Sequence, residues 1–550
     1  MKHFFTRYRV AVLFALVLVI QAFAEWVAWK KNLGNFCYAL DDSFIMMAIS
    51  KNLALHGVWG VTQYEFSATA TSPIFTILLA LFFKIFGVSI YIPLIINLLV
   101  VLLLLYYCDK EMLNLGISAG VSKYILLLVV FITPFFALLS GGMEHLLHLA
   151  TFIWLLFSTS RYIDSGYTDN KTFYLMLLAG FITVGVRYES GFLVAFIALW
   201  LTLHGRFLKA VGLSFVSALP IIIYGLYSMY QGSYFLPNSV LLKGVFVNFM
   251  SDVSASNPIK QIIKKLLLAP WVISLLVIGY IVWVTYCKGY IKEKAKENFL
   301  VLAILFTTLA HILVGWVGHV FRYEAYLMGA GTLVLSAVFI RNEGIKLLKD
   351  LFYKVTGSSD YFSLLLVSIM LYFPLSRGYF SYTGAIQAKT NIFEQQVQMG
   401  KFLHEHYNNA SVGASDIGAI SYYSDIRLLD FYGLASIEIV NAKLKKQYTL
   451  HKIDSLARAK GMQMVVFYDQ GLDNSVLKWY LVRRWYIKDN LVCGFDSVSF
   501  YAPTYQLAKE LSAKLDAFEP KLPPRVSTKR FEFAENVFIK EDGESAKMAQ

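Results

Sequence analysis

Charge is scarce in this chain. Only 15% of its 550 residues are Asp, Glu, Lys or Arg, while 57% are hydrophobic and 16% aromatic. A soluble globular chain carries about 25% charged residues, so the balance excludes that class and indicates a membrane protein. Cysteine is scarcer still. Cys37, Cys108, Cys287 and Cys493 form no close pair and no metal-ligand spacing, which excludes a disulfide framework and a structural zinc site. No internal repeat marks an inverted-repeat transporter. The net charge of +13 would suggest nucleic acid in a soluble protein. Here Lys and Arg gather in short loops between apolar runs, as cytoplasmic loops do, and no nucleic-acid partner is expected.

Long apolar runs are what the chain has instead. The first, within 10–29, is long enough to cross a bilayer and too long for a signal-peptide core, so it reads as an uncleaved first helix. Further runs at 92–107, 124–140, 146–160, 172–186, 190–203, 210–230, 266–287, 298–317, 324–340 and 360–376 bring the expected spans to about 11. "SPIFTILLALFFKIFG" (72–87), interrupted by Lys84, is short for a span and suits a helix lying along the interface. Loop charge decides its placement. If 72–87 does not cross and the N-terminus is cytoplasmic, the basic loops "CKGYIKEKAKE" and "RNEGIKLLKDLFYK" face inside. If it crosses, both face out, against the positive-inside bias.

After residue 380 charged residues rise and no run can span. An amphipathic helix over 392–407 and strands over 411–416, 426–431 and 462–469 predict a small α/β domain. The expected fold class is therefore a polytopic α-helical membrane protein with a small extracytoplasmic α/β C-terminal domain. Its parts are a transmembrane module over 1–380 with outer loop 30–91, the α/β domain over 381–518, and a loosely ordered tail over 519–550.

In that topology the unusual polar residues share the outer ends of the helices. They are Asp41 and Asp42 in "LDDS", Glu144, His145 and His148 in "GGMEHLLH", Arg187 and Glu189 in "VRYES", Asn238 and Lys243 in "LPNSVLLKG", and Arg322, Tyr323 and Glu324 in "FRYEAY". Ionisable residues at a membrane edge are candidates for function. Each also has a plainer reading. An Asp of the pair can cap the helix that closes at Gly57, Arg187 and Glu189 can pair with each other, and Lys243 can be an ordinary loop lysine. Asp416 and Asp430 flank the first strands and read as turn carboxylates. A phosphate near this surface would need Arg or Lys donors, Arg giving bidentate contacts.

The order of these motifs resembles the GT-C glycosyltransferases that use polyprenyl-phosphate-linked sugars, in particular the bacterial arabinofuranosyltransferase- and mannosyltransferase-like branch. The matching stretches are "LDDSFIMMAISKNLALHGVWG", "SATATSPIFTILLALFFKIFG", "LSGGMEHLLHLA", "GVRYESGFLVAF", "YFLPNSVLLKG", "FRYEAYL" and "SDIGAISYYSDIRLLDFYGL". The sequence departs from the family at His145, where a Thr is usual, and at Tyr188, where a Pro is usual.

The resemblance implies transfer of a sugar from a polyprenyl-phosphate donor to a glycan, lipid or protein acceptor at the outer face of a bacterial plasma membrane, with inversion. Asp41 or Asp42 would be the base that takes the acceptor's proton. Arg187, Arg322 and Lys243 would bind the donor phosphate and stabilise the leaving group. Glu144, His145, Glu189, Tyr323 and Asn238 would contact sugar or acceptor. No cofactor is required, no metal site is expected, and a divalent cation is compatible with the residues. A transporter or lipid-linked-sugar flippase is the competing reading, although a transporter would place its polar groups at midplane.

Overall fold

Residues 7–243, 258–290, 293–318, 320–342, 344, 361–469 and 479–533 are described by the structure, a computed structural model. The first ten helices are α1 (Arg9–Lys31), α2 (Asp41–His56), α3 (Pro73–Phe86), α4 (Ile92–Asn114), α5 (Ala119–Ile132), α6 (Phe135–Gly141), α7 (His145–Asp164), α8 (Asn170–Val186), α9 (Gly191–Leu203) and α10 (Phe207–Tyr230). They are followed by α11 (Asn238–Lys243), α12 (Pro258–Leu268), α13 (Pro270–Tyr286), α14 (Ala295–Val314), α15 (Ala325–Arg341) and α16 (Tyr361–Ile392).

Every long apolar run of the sequence falls on a helix. By length and composition, α1, α4, α7, α10 and α14 can each cross a membrane. The bent pairs α5–α6 (48°) and α12–α13 (93°) qualify if each pair is one span, which makes up to 7 among the described residues. The second bend has a local cause. Pro270 opens α13 and drives Ala269 out of the helical region. The remaining expected spans rest on α8, α9 and α15, which are apolar but shorter, and on α16.

Polar contacts collect at two ends of the bundle. At one end Arg9 pairs with Asp109 (2.6 Å), Lys296 with Asp164 (2.8 Å), Arg161 with Glu111 and Arg341 with Glu297. These join the segments expected on a single side. At the other end Ala39 N–H donates to Ser140 O (2.9 Å) and Asn238 N–H to Ala68 O (2.7 Å). Helix α3 both leaves and returns at this second end. Ala68 lies just before it, and Ile90, just after it, accepts from the Tyr38 hydroxyl at 2.7 Å. Pro73 at its first turn and Gly87 at its C-cap bound it to 14 residues.

Helix α16 runs through residue 380 without a break, so the expected boundary there is not a break in the fold. It continues through a π-helical turn (393–397) into α17 (Gln398–His406). The α/β domain then unfolds as β1 (Ser411–Ala414), α18 (Gly418–Tyr423), β2 (Arg427–Asp430), α19 (Ile437–Leu444), α20 (Leu450–Ala459) and β3 (Met464–Phe467). It ends with β4 (Tyr480–Tyr486), β5 (Ser497–Ala502), α21 (Tyr505–Phe518) and β6 (Ser527–Arg530).

The sheet order is β2-β1-β3-β5-β4-β6. β1 lies parallel to β2 and β3, and the remaining pairings are antiparallel. The sequence anticipates the three parallel strands. It misses β4 because "YLVRRWY" buries a charge: Arg483 is 1% exposed and reaches Asp516 and Glu519. The expected loose tail is corrected in its first part. β6 pairs with β4, Thr528 opposite Trp485, so 519–533 belong to the domain. Residues 534–550 of that segment lie outside the described residues.

Candidate active site

Four chain junctions converge at the second end. Helix α2 starts after the extended Leu40, puts Asp41 and Asp42 in its first turn, and closes on left-handed Gly57. Helix α6 ends at Gly142 with φ +63°, and a Cβ there would lie 2.4 Å from the Tyr38 ring. Only glycine fits, and this turn delivers Glu144 to the start of α7. Arg187 breaks α8 with extended backbone (φ −151°, ψ 129°), and Glu189 follows in a single 3-10 turn.

The fourth junction, between α14 and α15, carries Arg322 and Tyr323. It is strained. Val320 and Phe321 adopt φ of 60° and 61°, costly for side chains with a Cβ and most of all for a β-branched one. Two buried groups hold it in place. Arg377 of α16 donates to the carbonyls of Ile132 and Phe321. Glu324 accepts from the Trp271 indole (2.9 Å) and the Gly318 N–H (3.0 Å), and lies 3.4 Å from Arg377. Sequence reasoning passed over Arg377. Its signal was there: a lone Arg within an apolar helix.

The side chains interlock. Arg187 Nη1 donates to Glu144 Oε1 (2.7 Å), its Nε to Glu189 Oε2 (3.1 Å) and its Nη2 to Glu189 Oε1. Arg322 Nη2 donates to Asp42 Oδ2 at 2.5 Å, and its Nη1 faces Met143 Sδ at 2.9 Å. The Tyr323 ring lies 4.9 Å from the Arg322 guanidinium and 5.7 Å from that of Arg187. His145 meets the same ring edge-on at 6.4 Å. Asp42, Glu144, His145, Arg187, Glu189, Arg322 and Tyr323 therefore form one cluster.

The two arginines differ in which nitrogens are engaged. Arg187 spends donors on both neighbouring carboxylates. Buried Arg322 Nε has no hydrogen-bond partner among the described residues, and neither does Glu144 Oε2. Among the described residues no group of three His, Cys, Asp or Glu is placed to hold a metal ion.

Residues 390–526 match a family described as a domain of unknown function (DUF8728). No match is found among curated protein sequences. Among solved structures, ArnT from Cupriavidus metallidurans bound to undecaprenyl phosphate aligns with a TM-score of 0.51 at 11% identity, over 90% of this chain and 99% of ArnT. ArnT in the apo state gives 0.49 at 12% identity, over 90% and 98%. The chain has an ArnT-like fold.

Within the ArnT-like frame, the other predicted residues hold parts together. Asp41 does not join the cluster. Its carboxylate oxygens accept from the N–H groups of Gly418 and Ala419, both at 2.8 Å. It thus caps α18 of the α/β domain rather than its own helix. A Cβ on Gly418 would lie 2.1 Å from the Asp41 carbonyl oxygen, so that glycine is needed for the clasp. Asn238 donates to Leu434 O (3.0 Å) beside Thr69, which donates to the same carbonyl (2.9 Å). Both latch the helical module to the α/β domain. Lys243 ends α11, and its side chain lies outside the described residues. Asp430 accepts from the N–H groups of Tyr432 and Ala435, each at 2.7 Å, as its turn-carboxylate reading implies.

Burial, then the charge of Asp416, push the Asp41 carboxyl up to about 8, against the pull of its two backbone N–H donors. From the ordinary value of 3.8 up to about 8 the folded state holds more protons than the unfolded one. The contribution of this group to stability is therefore full below 3.8 and is lost as pH rises through about 8. Thermal melts of detergent-purified protein are expected to show that decline between these limits. Asp41→Asn, which does not ionise, should flatten it while lowering the midpoint, because an amide cannot accept from both N–H groups.

Proposed function

We propose that this protein is a membrane glycosyltransferase of the GT-C type. It moves a sugar from a polyprenyl-phosphate donor to a glycan, lipid or protein acceptor on the outer face of a bacterial plasma membrane, in assembly of the cell envelope. The observation that carries this reading is the pairing of Asp42 with Arg322, a buried guanidinium with an unspent N–H, inside a fold shared with a protein crystallised with undecaprenyl phosphate. The motif order, nearest the arabinofuranosyl and mannosyl branch, supports the same class.

In this reading Arg322 meets the developing charge on the leaving phosphate. The half-exposed Asp42 accepts the acceptor's proton as its oxygen attacks the anomeric carbon from the opposite face, inverting it. Arg187, tied to Glu144 and Glu189, stiffens the wall that Tyr323 covers. The lipid lies between helices and the sugar projects beyond them. Eleven crossings from a cytoplasmic N-terminus put the cluster and the α/β domain outside, supported by the basic loops at the opposite end.

The test uses purified protein in detergent with a panel of polyprenyl-phosphate sugars and an envelope extract as acceptor source. Release of polyprenyl phosphate with one member of the panel is the expected result. A flippase would release none with any.

A further inference from the structure

The carboxyl ends of the three parallel strands open into a crevice of about 550 Å³ in the α/β domain. Each strand delivers its lining directly. Ser415 and Asp416 follow β1, Phe431 and Tyr432 follow β2, and Tyr468 follows β3. In open α/β sheets ligands bind at this edge, where strands diverge to either side of the first. Here β1 sends its chain across to β2 on one side, and β3 lies on the other. The volume falls in the range of small-molecule sites, about 300–1,000 Å³.

The walls have two characters. Phe431, Phe467 and Ile453 form a floor no more than 6% exposed. Tyr432, Tyr448 and Phe495 stand at the rim, 44%, 37% and 46% exposed. Apolar surface grouped at the mouth of a cavity and rimmed by polar residues is the mark of a ligand-binding site. Polar groups sit at the edges of these rings. Asp416 accepts from Gln396 (2.7 Å) and from the Tyr468 hydroxyl. Lys443 lies 4.7 Å from both the Tyr432 and Tyr448 rings and donates to Tyr432 O at 2.7 Å. Flat apolar faces edged by a carboxylate, an ammonium and hydroxyls match a sugar ring, with its C–H faces and its equatorial rim of hydroxyls. One lysine, held by a carbonyl, makes no basic patch for a polyanion.

A short run of contacts joins the crevice to the candidate active site. Asp41, the chain neighbour of Asp42, holds Gly418 and Ala419, two and three residues beyond Asp416. We propose that this crevice binds a saccharide unit of the acceptor, which assigns a glycan-recognition role to the domain of unknown function. The substrate assignment rests on the glycosyltransferase reading; saccharide binding itself does not.

Full-length protein in detergent is applied to an array of neutral and acidic di- to pentasaccharides, with dodecanoate and palmitate measured alongside. At least one oligosaccharide is expected to bind. Tyr432→Ala and Phe495→Ala, both at exposed positions that leave the core intact, should each weaken it about tenfold, and Tyr432→Trp should restore it. No saccharide binding, saccharide binding indifferent to these substitutions, or fatty-acid binding in its place would overturn the assignment. Transfer activity without saccharide binding removes the crevice and leaves the enzyme. Saccharide binding with no donor turned over does the reverse.

Discussion

Arg187→Met is expected to cost about 3–5 kcal/mol of stability, the usual penalty for removing one partner of a buried ion pair. The reason is the company it keeps. Glu144 is fully buried and Glu189 lies against the same guanidinium, with Arg187 itself 7% exposed. Methionine fills the space and leaves two carboxylates facing each other without a counter-charge. Thermal unfolding in detergent measures the effect. Adding Glu144→Gln to the variant removes one stranded charge and should recover part of the loss. A melting midpoint equal to wild type for Arg187→Met would show that the triad does not hold the site's wall.

Asp42→Asn is expected to lower turnover by about 100- to 10,000-fold, the range a general base contributes, and also to lower the melting midpoint, because buried Arg322 loses its counter-charge. The amide keeps the shape, and its carbonyl oxygen still accepts from Arg322, but it cannot take a proton. The loss should fall on kcat rather than on KM for the donor, because the base acts on the acceptor in the transition state. Turnover within threefold of wild type in a folded Asp42→Asn protein would remove Asp42 from the chemistry. Asp41→Asn gives the contrast. It disturbs the clasp between the two parts of the chain and its signature is in stability against pH.

The helical module was legible because its signals are coarse. Long apolar runs and basic loops do not depend on which face a side chain takes. The short run 72–87 was placed from charge, and the contacts of Tyr38 with Ile90 and of Ala68 with Asn238 return it to one end. The sequence gathers most residues of the cluster but does not separate what each one touches. Asp41 and Asp42 are indistinguishable in sequence, and Asp41 is assigned to the clasp only by two N–H groups 377 and 378 residues away. The sequence offers Arg187 as a phosphate ligand and does not show that Glu144 and Glu189 take three of its five N–H groups. The antiparallel half of the sheet stayed hidden because buried Arg483, paired with acids on and just after α21, breaks the alternation that marks a strand.

Proteoliposomes carrying the protein, a polyprenyl-phosphate sugar it accepts and its acceptor give the decisive accounting. Sugar transferred and polyprenyl phosphate released should appear in equal amounts, and Arg322→Ala should abolish both while the protein still folds. Donor that crosses the bilayer intact, with no phosphate released, would contradict the account and make the protein a carrier.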